Sequence, residues 1–197
     1  MSKKKIEEVK IITLGDTSVG KSSFILKYID DRFSYNYIAT LGLDFKQKKI
    51  KLKSGEEVRL RIFDTAGQER FKSISINFIK KAHGILLIYD ITKRNTFESV
   101  KKWMDSILDA SGEKICILLV GNKCDLEEER VVSKEEGEQK AKEYNLDFFE
   151  TSCKEGININ EVFEKLTEDI LMKNVQLNSN EGEKLSKTKT KKKSGCC

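Results

Sequence analysis

The sequence has no long apolar run. No stretch reaches the ~20 consecutive apolar residues that a membrane-spanning helix needs. Residues Met1 to Lys5 are followed by no hydrophobic segment of a signal peptide, and Ser2 stands where N-myristoylation requires glycine. We therefore expect a chain that stays in solution unless a covalent group anchors it. Proline is also absent, and this absence indicates no function that we can name.

Cysteine is present in an odd number, five, and the positions show neither metal-ligand spacing nor a disulfide framework: Cys116, Cys124, Cys153, Cys196 and Cys197. This usage indicates a reducing compartment. The formal net charge is +5, but the stretch Lys184 to Lys193 alone contains six lysines and no acid. The excess of positive charge therefore lies in this tail, and a nucleic-acid-binding domain is not indicated.

With 197 residues, of which 38% are hydrophobic and 35% charged, the chain fits one globular domain with a polar surface. Apolar runs at Val9–Leu14, Ile85–Tyr89, Ile115–Val120 and Phe148–Phe149 predict strands, and those after Val9–Leu14 are continuous enough to be buried on both faces. Residues 50–52 and 58–62 alternate around Ser54-Gly55, which predicts a hairpin whose lysine-rich first strand lies at a sheet edge.

Segments whose apolar residues recur at helical spacing alternate with these strands. They predict helices from Ser22, over Thr96–Leu108, over Lys134–Tyr144 and over Ile159–Met172. Strands that alternate with helices indicate an α/β fold with a mainly parallel sheet covered on both sides. We expect six strands, five of them parallel, and about five helices. The predicted organisation is a flexible N-terminus over residues 1–7, one domain over residues 8–173, and a disordered tail over residues 174–197.

A glycine-rich motif lies between the first predicted strand and the first predicted helix. It matches G-x-x-x-x-G-K-[ST] and comprises Gly15, Asp16, Thr17, Ser18, Val19, Gly20, Lys21 and Ser22. Glycines let backbone N–H groups approach a phosphate chain, and the helix N-terminus favours an anion. Lys21 is expected to reach the β- and γ-phosphates, and the hydroxyl of Ser22 to bind Mg²⁺.

A second motif directly follows the strand that ends at Phe63, and it places an acid and a glycine together. Asp64 is expected to hold the Mg²⁺ sphere, and the backbone N–H of Gly67 to meet the γ-phosphate. The amide of Gln68 is then positioned to orient an attacking water. The alternative is that Gln68 is an ordinary solvated loop residue.

A third motif, N-K-x-D, follows another apolar strand and accounts for the choice of base. Guanine presents two adjacent N–H donors on one edge, which the carboxylate of Asp125 can accept. Asn122 is expected to brace the loops, and the stem of Lys123 to lie along the base. The only histidine, His83, and the only tryptophan, Trp103, are both interpreted as structural, the latter as a core residue.

These three motifs resemble those of the Ras-like GTPases, a P-loop NTPase fold, over about Glu8 to Met172. Within that superfamily the chain is most similar to the Rab branch, on the segments Leu41–Phe45, Arg59–Phe63, Arg70–Ile74 and Leu87–Thr92. The resemblance implies a small GTPase that binds GTP or GDP with Mg²⁺, hydrolyses GTP, and acts as a membrane-associated switch in vesicle trafficking.

The resemblance also assigns roles by position. Thr40 matches the threonine that binds Mg²⁺ and contacts the γ-phosphate, and it joins Lys21, Gly67 and Gln68 in the catalytic set. Phe33 matches the aromatic residue beside guanine. The remaining nucleotide contacts implied are Ser23, Tyr37, Ser152, Cys153 and Lys154, with Cys153 replacing the usual alanine.

Other positions depart from the family pattern. Phe63 and Phe78 replace a tryptophan and a tyrosine of an aromatic triad that includes Phe45, which leaves the partners undefined. Thr17 lies where the loop passes closest to the γ-phosphate, and we hypothesise that its branched side chain slows hydrolysis. A Thr17→Gly variant that turned over GTP no faster would remove this idea.

The chain ends in Cys196-Cys197 after a lysine run, which matches the double-cysteine ending that Rabs use for geranylgeranylation. Two lipid chains, or one chain and a basic patch, anchor a protein stably. The resemblance therefore implies a monomer that is anchored on the cytosolic face of an intracellular membrane. The implied partners are an exchange factor, a GTPase-activating protein, GDP-dissociation inhibitor, an escort protein and effectors.

Two alternatives remain at the level of sequence. One is a P-loop phosphotransferase, which needs a lid and an acceptor pocket and would bind ATP as well as GTP. The other is a scaffold that binds GTP without turning it over, which single-turnover phosphate release would separate from a GTPase.

Overall fold

The structure is a computed structural model and describes residues 7–33, 43–65, 78–111 and 115–173. These residues form six strands: β1 (Glu7–Leu14), β2 (Leu43–Lys51), β3 (Glu57–Thr65), β4 (Gly84–Asp90), β5 (Cys116–Asn122) and β6 (Asp147–Thr151). Four helices of ten residues or more accompany them: α1 (Lys21–Asp30), α2 (Arg94–Ser111), α3 (Lys134–Glu143) and α4 (159–173). Residues 78 and 79 are also helical, so the prediction of about five helices stays a prediction.

The strands form one sheet in the order β2-β3-β1-β4-β5-β6. Only the β2–β3 pair is antiparallel, and the other five strands run parallel. The predicted six-stranded, mostly parallel sheet is therefore confirmed, as is the position of β2 at an edge. Because the parallel strands end at one edge of the sheet, the segments that follow β1, β3, β5 and β6 gather there.

Two hydrophobic layers enclose the sheet. On one face, α1 and α4 pack over β1, β3 and β5 through a cluster that includes Phe24, Phe163 and Leu166. On the other face, α2 and α3 pack over β4 and β5 through a cluster that includes Phe97 and Met104. β4 is buried along its whole length, as its continuous apolar run predicts.

The prediction of full burial is wrong for β6. Phe148 and Phe149 are only half-buried, because β6 forms the second edge of the sheet. The two rings nevertheless pack against opposite layers, Phe149 with the α1 and α4 side and Phe148 with the α2 and α3 side. Among the described residues, no helix is long and apolar enough to cross a membrane.

Candidate nucleotide site

The glycine-rich loop lies between β1 and α1, as predicted, and its backbone requires its glycines. Gly15 has φ 139° and Gly20 has φ 101°, which are conformations that side-chain-bearing residues rarely adopt. A Cβ at Gly15 would meet the carbonyl oxygen of Ile88 at 2.1 Å, and one at Gly20 would meet Nδ2 of Asn122 at 2.4 Å. The loop can therefore close against β4 and β5 only with glycine at both positions.

Lys21, the first residue of α1, folds back over this loop. Its Nζ donates to the carbonyl oxygens of Gly15 at 2.9 Å and of Asp16 at 2.7 Å, and the residue is buried. Burial lowers the pKa of Lys21 to about 8, while the carboxylates of Asp64 and Asp16 act to raise it. Burial disfavours the charged form of the ammonium group because it removes hydrating water. A negatively charged phosphate next to Nζ would stabilise that charged form.

Asp64 is buried near the carboxyl end of β3, and Ser22 is half-buried in the first turn of α1. The negative charge of Asp64 acts to raise the pKa of Lys21 against the effect of burial, so the end of β3 lies within electrostatic reach of the glycine-rich loop. A carboxylate and a hydroxyl are hard oxygen donors of the kind that Mg²⁺ prefers, and Mg²⁺ commonly takes its remaining ligands from water and substrate phosphates. These two residues therefore fit a Mg²⁺ site.

Asn122, the last residue of β5, joins this loop to the segment after β6. Its Nδ2 donates to the carbonyl oxygen of Val19 at 2.8 Å. Its Oδ1 accepts from Oγ1 of Thr151 at 3.2 Å and from Sγ of Cys153 at 3.5 Å. Asn122 thus braces the loops, as the sequence predicts, and both ends of its amide are satisfied inside the protein.

The loops after β5 and β6 are joined a second time. The hydroxyl of Ser152 donates to Oδ1 of Asp125 at 2.5 Å, and the backbone N–H of Cys124 donates to the carbonyl oxygen of Thr151 at 3.0 Å. The carboxylate of Asp125 is therefore held in place while it remains half-buried at the sheet edge. Cys153 is buried, and burial raises the pKa of its thiol to about 12, so the side chain is a neutral packing group.

Lys123 has φ 72°, which is uncommon for a residue with a side chain. Its Nζ lies 2.6 Å from Oδ2 of Asp90, a fully buried carboxylate at the end of β4. The second oxygen of Asp90 accepts from the backbone N–H and the hydroxyl of Thr92. The ion pair fixes the direction of the lysine stem at the carboxyl edge of the sheet. The sequence did not predict that Asp90 would be the partner of Lys123.

Trp103 on α2 is a further residue whose contact the sequence did not predict. Its side chain is half-buried against the hydrophobic cluster beneath α2 and α3, so it borders the core in which the sequence placed it, and its Nε1 donates to Oδ1 of Asp16 at 2.9 Å. The contact spans 87 residues of sequence, and no local pattern signals it. It ties the glycine-rich loop to α2.

The other predicted site residues are placed as follows. Thr17, Ser18 and Ser23 lie in or next to the loop, and Ser18 has φ 64°. Phe33 and Lys154 are exposed. Tyr37, Thr40, Gly67, Gln68, Cys196 and Cys197 lie outside the described residues.

Comparison of the sequence with those of known proteins identifies the family to which the chain belongs. The model of the Ras family matches residues 10–172. The chain is 46% identical to "Ras-related protein Rab-10" of Diplobatis ommata over 164 residues, which cover 83% of this chain and 82% of the relative. It is 41% identical to "Ras-related protein Rab-13" of Rattus norvegicus, with 92% of this chain and 89% of the relative covered.

A third relative, "Ras-related protein Rab-3" of Caenorhabditis elegans, is 47% identical over 82% of this chain and 73% of its own length. The chain therefore belongs to the Ras family, and within it to the Rab small GTPases, as its motifs indicate. Proteins of this family are GTP hydrolases, so the enzyme class expected from the sequence is confirmed.

Proposed function

We propose that this protein binds GTP and GDP with Mg²⁺ at the carboxyl edge of the sheet, hydrolyses GTP, and switches conformation on an intracellular membrane in vesicle trafficking. The observation that carries the proposal is the junction at Asn122. Its amide holds the carbonyl oxygen of Val19 on one side and contacts Thr151 and Cys153 on the other. This junction supports the proposal, because a nucleotide needs its phosphate-binding loop and its base-binding segment side by side.

In this proposal the phosphates lie along the loop from Gly15 to Ser22. Backbone N–H groups and the N-terminus of α1 bind the negative charge, and Lys21 moves its Nζ from the loop carbonyls to the phosphate oxygens. Ser22 and Asp64, with Thr40, would hold Mg²⁺, which neutralises charge on the phosphates when it is bound. The buried position of Lys21 supports this arrangement, because charge attraction is stronger where water is excluded.

The base would lie against Asp125, with Phe33, Tyr37, Lys123, Ser152, Cys153 and Lys154 around it. Asp125 accepts the two N–H donors of guanine, and the hydroxyl of Ser152 keeps one carboxylate oxygen in position. Adenine would present a mismatched edge, so the site selects GTP over ATP. This preference separates the proposal from a P-loop phosphotransferase.

Hydrolysis would require Gln68, whose amide orients the attacking water, and Gly67 and Thr40, whose backbone N–H groups meet the γ-phosphate. Loss of the γ-phosphate removes the ligand that orders both segments, and this gives the two states of a switch. A GTPase-activating protein that supplies an arginine would accelerate the step, by about 10⁵ in the case of Ras. Geranylgeranylation of Cys196 and Cys197 would keep the switch on its membrane.

The test is base preference in an Asp125→Asn variant. The amide offers one donor in place of a second acceptor, so GDP affinity should fall roughly a hundredfold or more, since an unpaired buried polar group is costly. Xanthosine diphosphate, which carries a carbonyl in place of the guanine amino group, should bind this variant better than GDP does.

Calorimetric titration of both nucleotides into both proteins, with the exposed Asp109→Asn on α2 as control, measures this change. If Asp125→Asn left the preference for guanine intact, the base site would be wrong. Single-turnover phosphate release then distinguishes a GTPase from a scaffold that only binds GTP.

A further inference from the structure

The segment that follows β5 carries an arginine, Arg130, whose side chain is only 16% exposed. Its guanidinium lies between two carboxylates. On one side Nη1 and Nη2 donate to the two oxygens of Glu150, at 2.6 Å and 3.0 Å. On the other side Nε and Nη2 donate to Glu127, at 2.9 Å and 2.8 Å. Because Nη1 also donates to the carbonyl oxygen of Val132 at 3.0 Å, contacts with three residues fix the plane of the group.

The backbone next to Arg130 is itself anchored to the sheet. The N–H groups of Val131 and Val132 both donate to the carbonyl oxygen of Ile91, directly after β4, at 3.0 Å and 3.1 Å. Asp125 lies in the same segment, between β5 and Arg130. The guanidinium therefore has a fixed position relative to the sheet and to the segment that carries Asp125.

Glu150, the partner of Arg130 on β6, lies close in sequence to the proposed base site. Its side chain is 12% exposed, and its carbonyl oxygen accepts from Nδ2 of Asn158 at 2.7 Å. Ser152 follows shortly after Glu150 and donates its hydroxyl to Asp125 at 2.5 Å. A shift of Glu150 would therefore move Ser152, and with it the carboxylate that is assigned to guanine.

A largely buried ion pair of this kind contributes more to geometry than to stability. The two charges lose hydrating water on folding, and this cost offsets much of their attraction. Their hydrogen bonds are directional, because the planar fork of arginine matches a carboxylate through two parallel bonds. The pair formed by Arg130 and Glu150 therefore sets the distance between β6 and the segment after β5, which are the two elements that meet at the base site.

We propose that Arg130 is a positioning residue for guanine recognition. It holds β6 against the segment after β5, so that the hydroxyl of Ser152 keeps Asp125 in the orientation that accepts both N–H donors of guanine. Arg130 acts through Glu150 and Ser152 and not by contact with the base. Because guanine is assigned to Asp125, this inference rests on the proposed function.

Comparison of GDP with inosine diphosphate measures the orientation of Asp125. Inosine diphosphate lacks the amino group of guanine and offers the carboxylate one N–H donor in place of two. The ratio of the two affinities therefore reports the second hydrogen bond. A general loosening of the protein weakens both nucleotides alike and leaves the ratio unchanged, whereas a carboxylate that turns away from the second donor lowers the ratio.

The test variant is Arg130→Met/Glu150→Gln, which replaces the ion pair by a neutral pair and leaves neither partner as an unpaired buried charge. The ratio of GDP affinity to inosine diphosphate affinity should fall roughly tenfold, since a hydrogen bond to a charged group is weakened. Competition of each nucleotide against a fluorescent GDP analogue measures both affinities. A ratio equal to that of wild type would overturn the proposal.

Lys165→Met is the matched control. Lys165 on α4 contacts Asp147, the first residue of β6, at 2.6 Å and Asp169 at 2.7 Å. The substitution removes an ion pair from the opposite end of the same strand, so it should leave the affinity ratio unchanged. Equal losses in both variants would show a general effect of loosening β6 and refute the role of Arg130.

A second variant keeps the test decisive if the neutral pair does not fold. Arg130→Lys retains the positive charge but not the planar fork, so it should lower the affinity ratio at least about twofold. Urea unfolding of the same samples establishes that the variant is folded. A folded Arg130→Lys protein with the wild-type ratio would refute the proposal.

The proposed function and the role of Arg130 fail in different ways. A wild-type chain that bound neither nucleotide, or bound both equally, would refute the base site at Asp125. A strong wild-type preference for GDP that every Arg130 variant retained would refute only the positioning role.

Discussion

Lys21 is a buried cation that the proposed function places next to the phosphates of the nucleotide. Its pKa is lowered to about 8 in the folded protein, chiefly by burial, from an ordinary value of 10.5. The folded protein therefore carries fewer protons than the unfolded chain between these two values, and its stability rises with pH across that window. A phosphate beside Lys21 restores the charged form, so binding must take up a proton above about pH 8.

We predict that GDP binding at about pH 8.5 consumes protons and weakens as pH rises further. Calorimetric titrations in two buffers of different ionisation enthalpy measure the uptake. Lys21→Arg, which stays charged throughout this range, should show no uptake at this site. Equal uptake by both proteins would show that another group is responsible.

The hydrogen bond from Trp103 to Asp16 gives a second prediction at the scale of the residue. Trp103→Phe keeps an aromatic ring on α2 but removes the donor, so the glycine-rich loop loses its tie to that helix. We expect GDP to dissociate roughly threefold to tenfold faster, since a hydrogen bond to a charged group contributes about 1.5–3 kcal/mol and this one is partly solvated. Release of a fluorescent GDP analogue measures the rate.

A double-mutant cycle supplies the control. Asp16→Ala removes the same contact from the other side, so the double variant should be little faster than either single variant. Effects that simply add would show that the two side chains act independently.

At this scale the sequence was informative where chemistry is local. The spacing of Gly15, Gly20 and Lys21 fixes a phosphate loop because the backbone geometry of that loop is encoded within eight residues. The partners of Trp103 and Asp90 could not be predicted, because they depend on how separate elements meet. Trp103 was expected to be a core residue, but it is only half-buried, and its hydrogen bond to Asp16 was not predicted.

At the scale of the element, α3 begins with a complete capping box. The hydroxyl of Ser133 accepts from the backbone N–H of Glu136 at 3.2 Å, and the Glu136 carboxylate accepts from the backbone N–H of Ser133 at 2.9 Å. The Glu136 carboxylate also accepts a hydrogen bond from the guanidinium of Arg94 on α2. This bond, together with the one from the backbone N–H of Ser133, lowers the pKa of Glu136 to about 2. One carboxylate thus caps α3 and links it to α2.

We predict that Ser133→Ala lowers the free energy of unfolding by about 1 kcal/mol, the usual cost of losing a serine cap. Urea unfolding followed by far-ultraviolet circular dichroism measures it. Ser106→Ala is the matched control, because its hydroxyl donates to the carbonyl oxygen of Lys102 in the middle of α2 and caps no helix terminus. A cap variant as stable as this control would contradict the assigned role.

The elements themselves were largely predictable. Continuous apolar runs identified β4 and β5, and the alternation from Val58 to Ile62 identified a one-sided hairpin, because burial on one or two faces leaves a direct pattern in the sequence. Strand order leaves no such pattern. Phe148 and Phe149 resemble a central strand locally, and only the assembled sheet shows that β6 is an edge.

At the scale of the whole molecule, the described residues end at Lys173, and the sequence after them is rich in lysine. We predict that deletion of residues 174–197 leaves the affinity for GDP within twofold, because no residue of the proposed site lies in the deleted segment. The same deletion should move the protein from the membrane fraction to the soluble fraction of eukaryotic cells, since it removes both the proposed lipidation sites and the basic run. Cell fractionation and GDP titration measure the two effects.

Cys196→Ser/Cys197→Ser separates lipid from charge, because it keeps all six tail lysines. It should also become soluble, with at most weak residual binding from the basic run. Full retention on membranes would exclude a prenyl anchor as the main attachment.

The amide of Asn122 has a consequence for how this molecule would respond to a drug-like compound. Because one side chain contacts both Val19 and the residues at the end of β6, a compound bound next to Asp125, in the proposed base site, should also restrict the motion of the glycine-rich loop. Two fragments that bind at these two places should therefore slow each other's dissociation. A compound that links them should bind with a free energy more favourable than the sum of the two separate binding free energies.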